Sequence, residues 1–314
     1  MTLALVAAGL ALLLVGGEFL VRGAVATANR LGVSPLLAGL VIVGFGTSTP
    51  ELVTSVNAAL IGAPGIAVGN VVGSNIANLL LILGIGALLF PVPVDARAFR
   101  RDGSILAAVT ILGAAVALWG FVDRAIGLAL VLTLLAYVVL TYVLEKRRHT
   151  PAEKVYVEEA ELKATPGLGL WPALGLAGLG LVGVVVGADW LVRGAVDVAR
   201  AAGLSETLIG LTLVAIGTSL PELATTVVAG LRRQTEVAIG NVIGSNIFNL
   251  LFILGTTALV KPIPIPPEIA AFDVWAMLAA TALALFLIRT GWRVTRLEGA
   301  LLLGCYALYL WLIF

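Results

Sequence analysis

One pattern is written twice along this chain at a constant offset. Gly46-Thr47-Ser48-Thr49-Pro50-Glu51-Leu52 returns 171 residues later as Gly217-Thr218-Ser219-Leu220-Pro221-Glu222-Leu223. The block Gly69-Asn70-Val71-Val72-Gly73-Ser74-Asn75-Ile76-Ala77-Asn78-Leu79-Leu80 returns at Gly240 through Leu251 with ten of twelve positions identical. The register holds without a gap from the Glu18 and Asp189 pair to the Pro93 and Pro264 pair. Whatever fold the first half adopts, the second half has to adopt it too.

Sixty percent of the residues are apolar and only 12% are charged, and the mean hydropathy is +1.10. Soluble domains run nearer half apolar and a quarter charged. An integral membrane protein is expected, and about 20 apolar residues suffice to cross the bilayer core as helix. Ten such stretches are present: Leu3 to Ala28, Pro35 to Leu60, Ile66 to Phe90, Ser104 to Phe121, Ala125 to Leu144, Trp171 to Val198, Thr207 to Leu231, Val237 to Val260, Ala271 to Ile288 and Leu297 to Phe314. The fold class is therefore an all-α membrane protein of ten transmembrane helices. The first stretch has no basic residue before it and reads as a span rather than a cleaved signal. A single cysteine, Cys305, excludes an internal disulfide, and the lone His149 offers neither a metal cluster nor a proton relay.

With the N-terminus outside, the links after spans 1, 3, 5, 7 and 9 hold fourteen Lys and Arg, and the opposite side holds Arg124, Arg200 and Lys261. The positive-inside rule then places both termini extracytoplasmic and the long 145–170 loop in the cytoplasm. Each repeat, 1–144 and 171–314, contains five spans. An odd number makes the second copy enter the membrane from the other face, giving inverted repeats, an architecture of carriers. Glu153, Glu158, Glu159 and Glu161 in the central loop read as a solvated linker rather than a regulatory cation site.

The chemistry gathers at the repeated motifs, within 39–84 and 210–255. Pro50 and Pro221 lack an N–H, so the carbonyls of Gly46 and Gly217 lose their helical partners. Such a break is tolerated in lipid only where protein or a wet cavity surrounds it. Spacing of four stacks Thr47 over Glu51, Thr218 over Glu222, Ser74 over Asn78 and Ser245 over Asn249. Packing the four motif-bearing spans together would converge two carboxylates, hydroxyls, carboxamides and loose carbonyls, all of them oxygen donors. Oxygen without thiolate or imidazole suits calcium or sodium and argues against zinc or copper. No Lys or Arg lies in the core of these spans, so a cation is the expected cargo. Two intramembrane carboxylates cost about 2.5 kcal/mol each on insertion scales, and a bound cation offsets their repulsion.

Other polar pairs read as structural. Glu18 with Arg22, and Asp189 with Arg193, have the spacing of intrahelical ion pairs. Gly16, Gly17, Gly180, Gly183 and Gly187 permit close helix contact. Asp102 and Asp273, also 171 apart, are expected to cap the starts of spans 4 and 9.

At these motifs the chain resembles the cation/calcium exchanger superfamily and, within it, a prokaryotic sodium/calcium exchanger; the paired motifs correspond to that family's alpha repeats. The resemblance implies spans 2, 3, 7 and 8 as an ion-binding core, with spans 1 and 6 sliding across it. It implies Glu51 and Glu222 as central ligands of calcium and sodium, Thr47, Ser48, Thr218 and Ser219 as hydroxyl and carbonyl donors, and the carbonyls of Gly44 and Ala215 at flanking sodium sites. Ser74, Asn78, Ser245 and Asn249 complete the set. Several relatives carry Asp at the position of Asn249, potassium-coupled ones among them, so the chain resembles the potassium-independent type.

The expected activity is Na+/Ca2+ antiport by alternating access in the inner membrane, with no enzymatic chemistry, no cofactor beyond the transported ions and no nucleic-acid partner. A monomer is the default expectation. Proton-coupled cation exchange and a passive cation channel remain as alternatives.

Overall fold

Proline and glycine decide where these apolar helices stop. The computed structural model describes residues 2–146, 168–201 and 215–313. Helix α1 (Thr2–Leu31) ends at Gly32, whose φ of +64° suits a residue without a Cβ. Helices α2 (Pro35–Thr47) and α3 (Thr49–Leu60) are two arms of one span, bent by 42°. Then come α4 (Pro64–Leu89), α5 (Ala96–Trp119), α6 (Arg124–Lys146) and α7 (Leu170–Ala201). A single turn, α8 (Ala215–Thr218), precedes α9 (Leu220–Leu231), and α10 (Thr235–Val260), α11 (Ile269–Gly291) and α12 (Arg296–Ile313) finish the chain.

Among the described residues eight helices are long and apolar enough to cross a membrane, and the bent pair α2 and α3 makes a ninth span. Helix α9 is apolar but has only 12 residues. The start of its expected span, 207–214, lies outside the described residues, as do His149 and the central-loop glutamates. The protein is thus a helical, multi-pass membrane protein.

Burial separates an inner layer from an outer one. The apolar window of α10 is 94% buried inside the protein and that of α4 is 78% buried, against 17% for α12 and 28% for α6. Two motif-bearing helices are therefore enclosed by protein, while the outer helices turn large apolar side chains such as Leu135, Val139 and Trp311 outward. A bilayer is the solvent that such a surface needs.

The longest helices form a pair of their own. Gly9 lies against Gly187 and Leu191, Gly16 against Gly180 and Val184, and Gly23 against Ala173 and Ala177. Residue numbers rise along α1 as they fall along α7, so the two run antiparallel. A Cβ on Gly180 would stand 2.2 Å from the Leu20 backbone nitrogen, closer than any atom tolerates. Glycine here is required by backbone contact, as in other small-residue membrane interfaces. The expected ion pairs Glu18–Arg22 and Asp189–Arg193 both form along these helices. Glu18 has a second partner that sequence spacing does not show: Arg232, just past α9, reaches its Oε2 at 2.5 Å.

Two short strand pairs join links of the two halves of the chain. Strand β1 (Val92–Pro93) pairs with β4 (Arg293–Val294), and β2 (Phe121–Val122) pairs with β3 (Ile263–Pro264), both antiparallel.

The capping role expected of Asp102 and Asp273 is not what they do. Asp102 lies inside α5, fully buried, accepting from Arg101 at 2.7 and 2.9 Å and from the Tyr137 hydroxyl at 3.1 Å. Asp273 makes no side-chain cap and accepts from the Tyr309 hydroxyl at 2.8 Å. The helices begin earlier than the apolar runs that located them, so each aspartate falls within a helix and needs a partner from the next one.

Candidate ion-binding site

Each proline acts less as a helix terminator than as the start of a new helix. Pro50 and Pro221 occupy the first turns of α3 and α9, where a missing N–H is harmless. The residues before these helices, Ser48 (φ −81°, ψ 8°) and Ser219 (φ −90°, ψ 6°), leave helical geometry. Glu51 and Glu222 consequently sit in helical first turns, where unpaired N–H groups and the helix dipole favour a negative side chain. Gly46 and Gly217 lie next to last in the preceding turns, and their carbonyls find no donor at the prolines four residues on. Ala215 opens the turn α8.

Both glutamates are buried, each 1% exposed. Hydroxyls of each motif reach across to the other copy. Ser48 Oγ donates to Glu222 Oε1 at 3.1 Å, and Ser219 Oγ donates to Glu51 Oε1 at 3.4 Å. The Thr47 and Ser245 hydroxyls also face Glu222, and Thr218 faces Glu51. Ser245 Oγ approaches the Gly44 carbonyl at 3.5 Å. That approach needs a glycine, since a Cβ on residue 44 would meet the Ser245 nitrogen at 3.0 Å.

On the other arm of the site, Asn78 and Asn249 each begin a π-helical segment, Asn78–Ile82 in α4 and Asn249–Ile253 in α10. Such bulges concentrate at functional sites. Ser74 is buried near Asn78, but none of the side-chain hydrogen bonds to the two carboxylates comes from it.

Four oxygens in this neighbourhood are buried without a hydrogen-bond partner: Glu51 Oε2, Glu222 Oε2, Asn78 Oδ1 and Asn249 Oδ1. They form two pairs at the 171-residue offset. An unsatisfied buried acceptor is costly, and four acceptors with no donor among them invite a positive ion. The set is hard oxygen throughout, which fits sodium or calcium.

Sequence reasoning passed over Asn70 and Asn241. Their Nδ2 atoms donate to the backbone carbonyls of Glu51 and Glu222 at 3.0 and 3.1 Å. The signal was available: each is a polar residue kept in an apolar block in both copies.

The family described as sodium/calcium exchanger protein matches residues 1–143 and 172–314, nearly the whole chain outside the central loop. The chain belongs to the sodium/calcium exchanger family. Among similar proteins, the putative antiporter CaxA of Alkalimonas amylolytica is 39% identical over 309 residues, covering 98% of this chain and 96% of its own. The sodium/calcium exchanger MaX1 of Methanosarcina acetivorans is 33% identical, with 98% and 96% covered. Inner membrane protein YrbG of Escherichia coli is 34% identical, with 98% and 95% covered. The sodium-calcium exchanger NCX_Mj, soaked with zero Na+ and Ca2+, superposes with a TM-score of 0.85 at 29% identity over 100% of this chain and 99% of that one. The exchanger family is one of transporters, not of enzymes.

Proposed function

We propose that this protein is a Na+/Ca2+ antiporter working by alternating access in the inner membrane, built from ten spans as two inverted repeats, 1–144 and 171–314. The observation that carries this reading is the set of four unpartnered buried oxygens on Glu51, Glu222, Asn78 and Asn249. Two carboxylates give the site a formal charge that one divalent ion or two monovalent ions neutralise. The occupied site then crosses the bilayer far more readily than the empty, doubly charged one, and this couples one ion's movement to the other's. Ligands are Glu51, Glu222, Thr47, Ser48, Thr218, Ser219, Ser74, Asn78, Ser245 and Asn249, with the Gly44 and Ala215 carbonyls. Asn in place of Asp at residue 249 keeps the site at two charges and supports potassium-independent exchange. The relatives named as sodium/calcium exchangers support the choice of ions.

Strand pairing supports the inverted arrangement. The 171-residue offset carries β1 onto β3, yet β1 pairs with β4 and β3 with β2. Successive spans alternate faces, so the link after the third span lies with that after the ninth, and the link after the fourth with that after the eighth. Equivalent links of the two copies thus occupy opposite faces. The positive-inside rule sets both termini outside.

Calcium uptake into proteoliposomes under separately imposed sodium, potassium and proton gradients tests the reading. Uptake should follow the sodium gradient and ignore potassium. Uptake driven by a pH gradient and indifferent to sodium would replace it with proton-coupled exchange, and conductance at channel rates would replace it with passive permeation.

A further inference from the structure

Asn70 and Asn241 are absent from the proposed ligands, yet both direct their carboxamides at the residues that carry them. Asn70 Nδ2 donates to the Glu51 carbonyl at 3.0 Å and to Ser55 Oγ at 2.9 Å. Asn241 Nδ2 donates to the Glu222 carbonyl at 3.1 Å and to Thr226 Oγ1 at 2.9 Å. In each copy one amide group thus spans a full helical turn, from the glutamate's own backbone to the side chain four residues on. This is the first turn of α3 or α9, where backbone N–H groups lack helical partners and helices fray.

The amide orientation follows from chemistry. With its NH2 group occupied by two oxygens, Asn241 leaves Oδ1 facing the Thr47 hydroxyl of the other repeat, 3.2 Å away. That hydroxyl has one hydrogen and further acceptors within reach, namely the carbonyls of Val43 at 3.0 Å and Gly44 at 3.5 Å and the Glu222 carboxylate that it faces. Handing the hydrogen to Asn241 releases the Gly44 carbonyl and turns the lone pairs of Thr47 toward the site. Asn241 is fully buried, so no water competes for these bonds.

We infer that Asn70 and Asn241 are positioning residues of the ion site, each fixing the helical turn beneath its glutamate, and that Asn241 also takes the Thr47 hydroxyl hydrogen so that this oxygen faces the ion. The inference rests on the cation-site reading given above.

The test uses the purified full-length protein and follows its unfolding temperature during separate titrations with CaCl2 and NaCl. A ligand that binds only the native state raises that temperature according to its affinity. Asn241→Ala and Asn70→Ala should each weaken cation affinity about tenfold, equivalent to about 1.4 kcal/mol. Thr226→Val, which keeps the volume and removes one acceptor, should weaken it about threefold. Asn241→Ala combined with Thr47→Val should weaken it by less than the two single effects added, because one bond is shared.

Unchanged affinity in both Ala variants, with only the cation-free unfolding temperature lowered, would mean a purely structural role and overturn the inference. Should Asn241→Ala fail to fold, unchanged affinity in Thr226→Val overturns it equally. A wild-type protein that gains no stability from either cation would remove the site reading and this inference together; a wild type that binds beside unaffected variants would remove the inference alone.

Discussion

The two repeats carry the same polar side chains at the site and differ there only at the carbonyl pair Gly44 and Ala215, but they are not equivalent in how the α1–α7 pair lies against them. Helix α1 runs along α9, with Gly17 facing Val228 and Glu18 held by both Arg22 and Arg232. The equivalent helix, α7, scarcely touches α3 among the described residues. Its Asp189 is paired with Arg193 on the same helix, and the side chain is 47% exposed against 16% for Glu18. The counterpart of Arg232 is Ile61, which is 79% exposed and has no charge to offer. Duplication writes the motif residues twice. It does not fix the surroundings twice, because an antiparallel pair that closes over one half-helix leaves the opposite one uncovered. Alternating access would exchange those two roles.

The strongest way to break the equivalence of the two repeats is through the glutamates. Glu51→Gln and Glu222→Gln should each reduce sodium-driven calcium flux by more than about a hundredfold, since removing a buried charge partner costs about 3 kcal/mol or more. Retained flux in one variant alone would show that only one copy's carboxylate serves the ion. Each variant should still be extracted folded, as judged by thermal unfolding.

An intermediate effect is expected from Asn249→Asp and its counterpart Asn78→Asp. Either adds a third acid to a cluster whose Asn oxygens already lack donors, so the cation profile measured in uptake assays should shift toward higher total charge. If only Asn249→Asp moved it, the repeats would be unequal at the ligands as well as around them.

The smallest effect belongs to the ion pair outside the site. Arg232 is 52% exposed, and solvent-screened pairs contribute about 0.2–1 kcal/mol. Arg232→Gln should therefore shift the balance between conformers by no more than about fivefold, read as altered accessibility of cysteines introduced along α9. Ile61→Arg, which offers Asp189 a second partner beside Arg193, should shift the balance the other way. Equal accessibility in both variants would show that the pair does not discriminate between conformers.

Much of this was readable in the residues because it was written twice. The motifs, the broken helices at Pro50 and Pro221, the glycine contact between α1 and α7, and the burial of Glu51 and Glu222 all follow from repeated local spacing. Spacing reports neighbours three or four residues away and is silent about neighbours 170 or more away. That is why spacing does not show the bond from Ser48 to Glu222, why it leaves Arg232 as loop charge rather than a partner of Glu18, and why it reads Asp102 and Asp273 as caps. Asn70 and Asn241 were missed for a related reason: their bonds go to backbone carbonyls, which a sequence does not label as targets.

The four short strands are the smallest elements in the protein, and each pair joins a link of one half to a link of the other. They act as two rivets that fasten one half of the chain to the other. Neither α1 nor α7 is fastened in this way. A rotation of one half against the other would shear both rivets, whereas a joint displacement of α1 and α7, held to each other by their glycine contacts, would disturb neither.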